Sequence, residues 1–296
     1  MVTLVAPFGL RTVLWGCGDM MIDVNATAAQ RLRRALDDVA SGYVAVITGA
    51  GISLASGIPT FRGTDPDAVW AKDVTELGTL EYFVAEPVNS WRWYLDRFIH
   101  TLDKQPNAAH AALVQLERQH VANGGEFLLV TQNVDPLHER AGAQQYVKVH
   151  GSADRVRCVG RGCIHAAPAG SLDLSAAGVE QFLAAPSFAS LPRCPECGEL
   201  LRPHVLWFDE FYGEHEDFQW PRVLDCTRRA DLCLFVGTSF AVGVTRMFVE
   251  AVLRRHVVAL SIDPGVDETP HRHILALPEK AEVLLPDVVA MAANVP

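Results

Sequence analysis

The sequence has 296 residues, of which 49% are hydrophobic and 20% charged, and its formal net charge at pH 7 is −10. This length suits one large domain or a domain that carries an inserted module. The acidic balance argues against a general affinity for nucleic acid, and the uncharged runs are shorter than the roughly 18–20 apolar residues that cross a membrane. The apolar stretch 1–10 has no basic region before it, so we predict no secretory signal and a cytoplasmic protein.

The first predicted elements are a helix and a strand. Residues 1–26 form an N-terminal extension, to which we assign no function. Residues 27–40 place their Ala, Leu and Val side chains on one helical face. Residues 43–48 are too few for a helix and are rich in β-branched and aromatic side chains, which predicts a buried parallel strand.

A glycine-rich turn follows this strand. Gly49 and Gly51 let the backbone turn tightly and approach a pyrophosphate without a Cβ in the way. Leu54 stands where the dinucleotide-binding pattern G-x-G-x-x-G has its third glycine, so a plain glycine-rich turn is at least an equal alternative. Because Pro59 cannot continue a helix, we expect the turn to open into a rigid loop that holds an aromatic residue beside a cation.

The fifteen residues from Gly49 to Gly63 read G-A-G-I-S-L-A-S-G-I-P-T-F-R-G. They resemble the signature G-A-G-I-S-x-x-S-G-I-P-x-F-R-G of the sirtuins, a family of protein lysine deacylases that consume NAD as a co-substrate. The resemblance implies an NAD site in this stretch. The residues that it assigns to NAD are Gly49, Ala50, Gly51, Ile52, Ser53, Pro59, Phe61 and Arg62.

The rest of the chain alternates between helices and strands. Residues 65–105 are helical and rich in aromatic residues, and a helix near 108–121 ends at Asn123-Gly124-Gly125. The later elements are strands at 127–131, 146–149, 232–236, 257–262 and 282–285, and a helix near 244–255. This order predicts an α/β fold with a Rossmann-like, doubly wound parallel sheet, whose ligand loops lie at the carboxyl ends of the strands.

The resemblance implies a sirtuin catalytic domain over 27–292 with two insertions. Its NAD-binding part comprises 27–64, 105–152 and 204–292. Residues 65–104 form a helical insert, and 153–203 form a smaller inserted zinc-ribbon module. Within that module, 166–191 is rich in Ala, Ser, Pro and Gly, and we expect a loosely structured loop there.

Polar residues follow the second predicted strand. Gln132, Asn133, Val134 and Asp135 match the sirtuin pattern T-Q-N-[IV]-D-x-L-H. An Asx-rich turn that is stopped by Pro136 is the alternative. The resemblance implies that Gln132 and Asn133 hold the ribose and its water network. It also implies that Asp135 binds the nicotinamide carboxamide.

His150 follows the third predicted strand and precedes a glycine. An imidazole titrates near neutrality, so a histidine at this edge of the sheet suits a general base. The pair matches the H-G of sirtuins, in which an acyl-lysine carbonyl oxygen displaces nicotinamide from NAD. The resemblance then implies that His150 accepts a proton from the ribose hydroxyls, with nicotinamide, free lysine and O-acyl-ADP-ribose as products.

Four of the seven cysteines form two closely spaced pairs. The odd total and the missing signal argue against a disulfide framework. Cys158-x4-Cys163 and Cys194-x2-Cys197 are typical of zinc knuckles, and four thiolates would close the tetrahedral shell of one structural zinc ion. Free or redox-active cysteines are the alternative, which we disfavour because a redox Cys-x-x-Cys usually begins a helix.

Two later segments resemble the parts of sirtuins that bind the adenosine side of NAD. One matches the family's G-T-S, and the other takes the place of I-N-x-E with a serine for the asparagine. An acidic residue after a Rossmann strand can accept ribose hydroxyls. The residues assigned to this side are Gly237, Thr238, Ser239, Ser261, Asp263 and Ala281.

The segment 201–210 resembles the sirtuin strand that binds the substrate peptide by strand addition, a mode driven by the backbone. On this resemblance, Leu206 and Glu210 are assigned to substrate binding. Asp209 replaces the glycine that the family usually has, which puts the path of the peptide in question.

Tyr94 and Arg97 lie three residues apart, which places them on one helical face. A phenol and a guanidinium together bind a carboxylate well. The pair looks like the Y-x-x-R of sirtuins that remove succinyl, malonyl or glutaryl groups, and Gly78 would leave room for a larger acyl chain. The alternative places Tyr94 in the core and Arg97 in a surface ion pair.

These patterns give three functional hypotheses. The leading one is an NAD-dependent deacylase that acts on acylated lysine side chains of proteins, closest to the desuccinylase and demalonylase subgroup. The second is an ADP-ribosyltransferase or NAD glycohydrolase that uses the same NAD site. The third is a non-catalytic NAD- or peptide-binding module, which the presence of Asn133, Asp135 and His150 disfavours. We expect neither a nucleic acid nor a membrane partner.

Overall fold

The computed structural model describes residues 26–60, 74–265 and 273–293. The strands in these ranges are β1 (Tyr43–Thr48), β2 (Glu126–Thr131), β3 (Tyr146–Lys148), β4 (Gly151–Cys158), β5 (Leu172–Asp173), β6 (Leu201–Val205), β7 (Leu232–Val236), β8 (Val258–Ile262) and β9 (Leu275–Leu277). The α-helices are α1 (Ala28–Asp38), α2 (Val74–Leu77), α3 (Leu80–Ala85), α4 (Pro87–Phe98), α5 (Ala108–Ala122), α6 (Leu137–Ala141), α7 (Val179–Ala184), α8 (Trp220–Arg229), α9 (Gly243–Arg255) and α10 (Ala281–Ala293). None of these helices is both long and apolar enough to pass through a bilayer.

Six of the strands form one parallel sheet in the order β3-β2-β1-β7-β8-β9. The winding of the chain reverses between β1 and β7, so the predicted doubly wound α/β fold is confirmed. The loops after β1, β2 and β7 meet at one edge of the sheet. Folds of this type bind their ligands at such a switch point.

Helices cover both faces of this sheet, which explains why the inner strands have nearly continuous apolar sequences. Along β1 the side chains alternate between two cores. Val44 and Val46 face the core formed with α1, α5 and α10, whereas Ala45 and Ile47 face the core formed with α8 and α9. All four side chains are buried, so β1 is the central strand that both layers share.

A second, antiparallel sheet has the strand order β5-β4-β6. In sequence, β4 ends at the first cysteine pair, β5 lies between the two pairs and β6 follows the second pair. This sheet packs against α4 in an apolar cluster that includes Phe83, Trp91 and Trp207. The indole nitrogen of Trp91 donates a hydrogen bond to the carbonyl oxygen of Leu201, at 2.9 Å, and so joins the helical insert to β6.

The expectation of a loosely structured loop over 166–191 was wrong. This segment forms β5, α7 and two 3₁₀ turns, and most of its larger apolar side chains are buried, although Leu183 and Phe188 are exposed. Phe182 of α7 lies 6.4 Å from Trp91, ring centroid to ring centroid. The composition of the segment concealed this because a few apolar residues, spaced among Ala and Ser, are enough to anchor short elements on an existing core.

The predicted strand at 282–285 was also wrong, since these residues belong to α10 and the edge strand is β9, which pairs with β8. A run of four apolar residues has no period that separates a strand from a buried helical turn. Pro286, inside α10, further weakened the helical pattern. Leu284, Leu285 and Val288 pack in the core between α10, α1 and α5, and this tertiary contact decides the helix.

We predict that Leu285→Ala lowers the free energy of unfolding by about 2–5 kcal/mol, because it leaves a cavity at a fully buried position. Urea unfolding followed by circular dichroism measures this change. The matched control is Val283→Ala, since Val283 is 53% exposed in the same helical turn and its loss should change stability by about 0.5 kcal/mol or less. Equal effects of the two variants would contradict the packing of α10.

Candidate active site

The glycine turn after β1 packs directly against the loop after β7. The amide of Gly51 donates to the carbonyl oxygen of Gly237 at 2.9 Å. A Cβ on Gly51 would lie 2.7 Å from the Gly237 Cα, and a Cβ on Gly237 would lie 2.4 Å from the amide nitrogen of Ile52. The two loops can cross only because neither residue has a side chain.

The turn continues as a 3₁₀ helix over Ala50–Ser56 rather than as an α-helix. It ends at Gly57, whose φ of 79° lies in the left-handed region. The prediction that the helix cannot continue toward Pro59 is therefore confirmed. Phe61 and Arg62, which the resemblance assigned to NAD, lie outside the described residues.

The polar residues after β2 bond to this turn. The Ser53 hydroxyl donates to the Asp135 carboxylate at 2.9 Å. The side-chain amide of Asn133 donates to the carbonyl oxygen of Gly49 at 3.1 Å and to the Ser53 hydroxyl oxygen at 3.3 Å. Asn133 and Asp135 are both buried. The structure thus joins two predicted catalytic residues to the predicted cofactor loop.

Gln132 connects the ends of three strands. Its amide nitrogen donates to the carbonyl oxygen of Thr48 and to the hydroxyl of Thr238, each at 3.3 Å. Its amide oxygen accepts from the hydroxyl of Thr245 in α9 at 3.1 Å. Thr48 and Thr245 were not predicted as site residues. Both bond to Gln132, which is far from them in sequence, so no local sequence pattern indicates their role.

His150 lies at the carboxyl end of β3 with both ring nitrogens engaged. Nδ1 is 2.9 Å from the carbonyl oxygen of Gln132, and Nε2 is 3.0 Å from the hydroxyl of Tyr212. Burial lowers the pKa of His150, although the bond to Gln132 acts in the opposite direction. The imidazole is therefore neutral at pH 7, as a general base must be.

Gly151, which follows His150, has a φ of 82°. A Cβ there would lie 2.1 Å from the carbonyl oxygen of His204. This glycine lets β4 run close beside β6, and Leu206 at the end of β6 donates its amide to the carbonyl oxygen of His150 at 3.0 Å. The predicted substrate residue Leu206 is thus a direct neighbour of the predicted base.

Two further histidines lie behind the site. His138 Nε2 is 3.1 Å from the hydroxyl of Thr48, and its ring centroid is 4.8 Å from that of His110. Burial lowers the pKa of both histidines, that of His110 to about 4. We did not predict a role for His110. It lies in the first turn of α5, where it forms a capping box with Asn107. The Asn107 side chain also donates to the carbonyl oxygen of Ile52 at 2.8 Å.

The residues assigned to the adenosine side lie at or near the same edge of the sheet. Thr238 is buried and bonded to Gln132. Ser261 is buried within β8, whereas Asp263 follows β8 and accepts a hydrogen bond from the Gly265 amide at 2.9 Å. Ala281 begins α10 and is buried. Their contacts with NAD, and those of Ser239, stay predictions.

The four predicted metal ligands come together. The sulfur atoms of Cys158, Cys163, Cys194 and Cys197 all lie within 4.8 Å of one another. Cys158 and Cys197 are 3.4 Å apart, and Cys163 and Cys194 are 3.6 Å apart, sulfur to sulfur. A tetrahedral zinc ion with Zn–S bonds of about 2.3 Å would separate its sulfurs by about 3.8 Å. The cluster therefore fits one zinc ion with a closed shell.

We predict that the purified protein contains about one zinc ion per chain and that Cys194→Ser removes it. Because structural zinc contributes directly to folding, the thermal midpoint should fall by about 10 °C or more. Elemental analysis and thermal unfolding measure both effects. Cys233→Ala is the control, since Cys233 lies in β7 outside the cluster. Full zinc content in Cys194→Ser would show that Cys194 is not a ligand, and wild-type protein without zinc would support free cysteines.

The residues assigned to the acyl pocket lie on α4. Tyr94 is 2% exposed, and its ring packs against those of Trp91 and Phe98. Its hydroxyl is buried without a hydrogen-bond partner among the described residues. The Arg97 guanidinium lies 4.4 Å from the centroid of the Trp93 ring. The core position of Tyr94 agrees with the alternative in which Tyr94 only packs in the core. Its buried hydroxyl, which has no hydrogen-bond partner among the described residues, is unusual for a residue with a purely structural role.

Three other substrate-side residues have structural partners. Glu210 forms an ion pair with Arg202, with its two oxygens 2.7 and 3.1 Å from the guanidinium nitrogens. Asp209 accepts hydrogen bonds from two backbone amides at the start of α3. Gly78 leaves no open space, because a Cβ there would lie 2.7 Å from a backbone oxygen and 3.2 Å from the ring of Phe208. Asp209 thus supports α3, a role that its family position did not indicate.

The fold and the site define the class of protein. A doubly wound sheet presents a glycine turn and polar side chains at its switch point, as dinucleotide-binding proteins do. A sequence profile of the Sir2 family matches residues 49–244, and the chain belongs to that family. The predicted family is thereby confirmed.

Relatives and solved structures agree. The chain is 42% identical over 197 residues to an NAD-dependent protein deacylase of Thermus thermophilus, across 66% of this chain and 69% of the relative. It is 38% identical over 223 residues to the mitochondrial NAD-dependent protein deacylase sirtuin-5 of Danio rerio, across 73% and 72%. The crystal structure of a Sir2 homolog–NAD complex matches with a TM-score of 0.69 and 34% identity, covering 88% of this chain and 93% of that one.

Proposed function

We propose that this protein is an NAD-dependent protein lysine deacylase and that acidic acyl groups are among its substrates. One observation carries the proposal. Ser53, Asn133 and Asp135 form a buried polar group at the glycine turn, and Gln132 joins that group to His150. A cofactor loop and a neutral base therefore share one edge of the sheet.

The residues at this edge suit NAD. Hydroxyl and amide groups of Ser53, Gln132, Asn133 and Thr238 match ribose hydroxyls and phosphate oxygens, and the carboxylate of Asp135 can accept from a carboxamide. Bound NAD would supply a glycosidic bond whose cleavage leaves an electrophilic ribose carbon. The protein's part is to hold that bond beside the acyl group and to exclude water.

His150 provides the base. The carbonyl oxygen of Gln132 can only accept a hydrogen bond, so it fixes the ring proton on Nδ1 and leaves the lone pair on Nε2. Since burial lowers the pKa of His150, Nε2 carries no proton at neutral pH and can accept one. The zinc module takes no part in this chemistry, because four thiolates leave no open position on the metal.

Tyr94 and Arg97 support a preference for acidic acyl groups. A buried hydroxyl without a partner costs about 1–3 kcal/mol, and a ligand carboxylate would remove that cost. Arg97, one helical turn further along α4, would turn its guanidinium from the Trp93 ring to the same ligand. The alternative is an ADP-ribosyltransferase or NAD glycohydrolase that uses the same NAD site, with an amino acid side chain or water attacking the ribose instead of an acyl group.

The deacylase assay uses NAD with acetyl-lysine and succinyl-lysine versions of one peptide. We expect nicotinamide release that depends on the acyl group, together with loss of that group from the peptide. His150→Ala should lower deacylation by about 100-fold or more, with an unchanged circular dichroism spectrum as the control for folding. Nicotinamide release that is equal without the acyl group would instead support the glycohydrolase or transferase.

We predict that Arg97→Met lowers kcat/KM for the succinyl peptide by about 10- to 100-fold, because it removes a charge-assisted hydrogen bond of about 1.5–3 kcal/mol. The acetyl peptide has no carboxylate for Arg97 to bind, so its kcat/KM should change by about threefold or less. The matched control is Arg92→Met, an exposed arginine on the same helix. Equal losses for the two peptides in Arg97→Met would exclude an acidic-acyl pocket at this position.

A further inference from the structure

The basic nitrogen of His150 is already occupied by a side chain of the protein. The hydroxyl of Tyr212 lies 3.0 Å from Nε2, while Nδ1 bonds to the carbonyl oxygen of Gln132. Because the ring proton is on Nδ1, Nε2 can only accept, and the tyrosine hydroxyl must donate. Burial raises the pKa of Tyr212 to about 12, so its hydroxyl keeps that proton at neutral pH.

This contact limits how His150 can act. A neutral imidazole has one lone pair on Nε2. A general base must lie about 2.6–3.2 Å from the heavy atom whose proton it accepts, or reach it through one bridging group such as a water molecule. While Tyr212 holds that lone pair, a substrate hydroxyl cannot bond to it as well. Either Tyr212 leaves during the reaction or the proton passes through it.

The surroundings of Tyr212 favour a residue that stays in place. Its ring stacks on that of Trp220, with centroids 4.2 Å apart and planes 8° apart. Both rings pack against the core formed with α8 and α9. Leaving the site would break this stack and uncover apolar surface.

The backbone on either side of Tyr212 is also anchored. Two residues before it, Glu210 is paired with Arg202. Five residues after it, Asp217 lies 2.5 Å from the guanidinium of Arg157, whose side chain is 1% exposed. Breaking a buried ion pair by removing one partner costs about 3–5 kcal/mol, so both pairs resist displacement of the loop.

We propose that Tyr212 is a second catalytic residue that relays a proton to His150, in the deacylation proposed above. The O–H bond of the reacting hydroxyl breaks as its proton moves to the Tyr212 oxygen. In the same step the Tyr212 proton moves to Nε2 of His150. The tyrosine ends neutral, the histidine becomes an imidazolium, and the electron pair stays on the substrate oxygen, which becomes the nucleophile.

The test uses Tyr212→Phe, which keeps the ring and its stack on Trp220 but removes the hydroxyl. We expect kcat for deacylation to fall by about 100-fold, with KM values for NAD and peptide within about threefold of the wild type. Tyr146→Phe is the matched control, because its hydroxyl lies 3.5 Å from Glu139 and away from His150. It should keep the wild-type kcat.

A second readout needs no NAD. In protein labelled with ¹⁵N-histidine, Tyr212→Phe should shift the Nε2 resonance of His150, and Tyr146→Phe should not. An unchanged resonance would overturn the contact on which the relay depends. This measurement also separates the deacylase proposal from the relay proposal, because it detects the contact between Tyr212 and His150 even if the protein does not consume NAD.

The kinetic outcomes decide between relay and displacement. An unchanged or higher kcat in Tyr212→Phe, beside an active wild type, would show that Tyr212 only covers the base. That result would overturn the relay and leave the proposed deacylase activity intact.

If Tyr212→Phe does not fold, single-turnover rates of the wild type are measured in mixtures of H₂O and D₂O instead. If two protons move in the rate-limiting step, the rate depends on the deuterium fraction along a curve. A linear dependence would contradict the relay. A wild type without acyl-dependent NAD consumption would overturn the deacylase and the relay together.

Discussion

The close approach of the two loops after β1 and β7 is the constraint on which the site depends. Gly51 and Gly237 bring their backbones into direct contact, and any side chain at either position would overlap the other loop. This contact fixes how closely the two loops approach each other at the switch point of the sheet. It also fixes Ser53 at the distance from which Asn133 and Asp135 can bond to it. The polar group at the crevice is thus a consequence of backbone packing.

A second set of interactions ties the zinc module to this crevice. Arg157 of β4 lies within hydrogen-bond distance of His204, His215 and Asp217. Burial lowers the pKa of His215 to about 4, and the neighbouring arginines add to that effect. Burial alone would raise the pKa of Asp217, but hydrogen bonds from His204 and Arg157 outweigh it and lower that pKa. Neutral histidines and an ionised carboxylate can therefore surround the buried guanidinium at pH 7.

This network indicates how a zinc ion without a chemical role would still affect the geometry of the site. Cys158, a predicted zinc ligand, ends β4, and the same strand begins directly after His150. The loop that carries Tyr212 is held on β4 and β6 through Arg157 and Arg202. Loss of the metal would loosen both strands, and with them the geometry of His150 and Tyr212. The helical insert rests on the same sheet through Trp91.

Much of the site could be read from the sequence because its signals are local. The glycine turn and the polar run after β2 each stand directly after a strand, and the cysteine pairs have the spacing of metal knuckles. Because the strands are parallel, their carboxyl ends lie at one edge of the sheet, so the loops that follow them could be predicted to lie close together.

Four positions show where sequence reasoning failed. Gly78 was expected to leave space, but the ring of Phe208 and a backbone oxygen fill it. Asp209 was a departure from a family pattern, and it caps α3. Leu284 and Leu285 were assigned to a strand, but their packing on α1 and α5 makes them helical.

The sequence by itself therefore determined the parallel α/β fold and the family, and it predicted the four cysteines that cluster and the histidine proposed as the base. Each of these inferences rests on short motifs whose residues are close together in the chain. Only the tertiary structure decided what those residues bond to. Tyr212 lies 62 positions from His150, in a loop placed by ion pairs to two strands of the smaller sheet. No pattern along the chain reports such a contact, because it depends on how separate layers pack and not on the spacing of residues within one element.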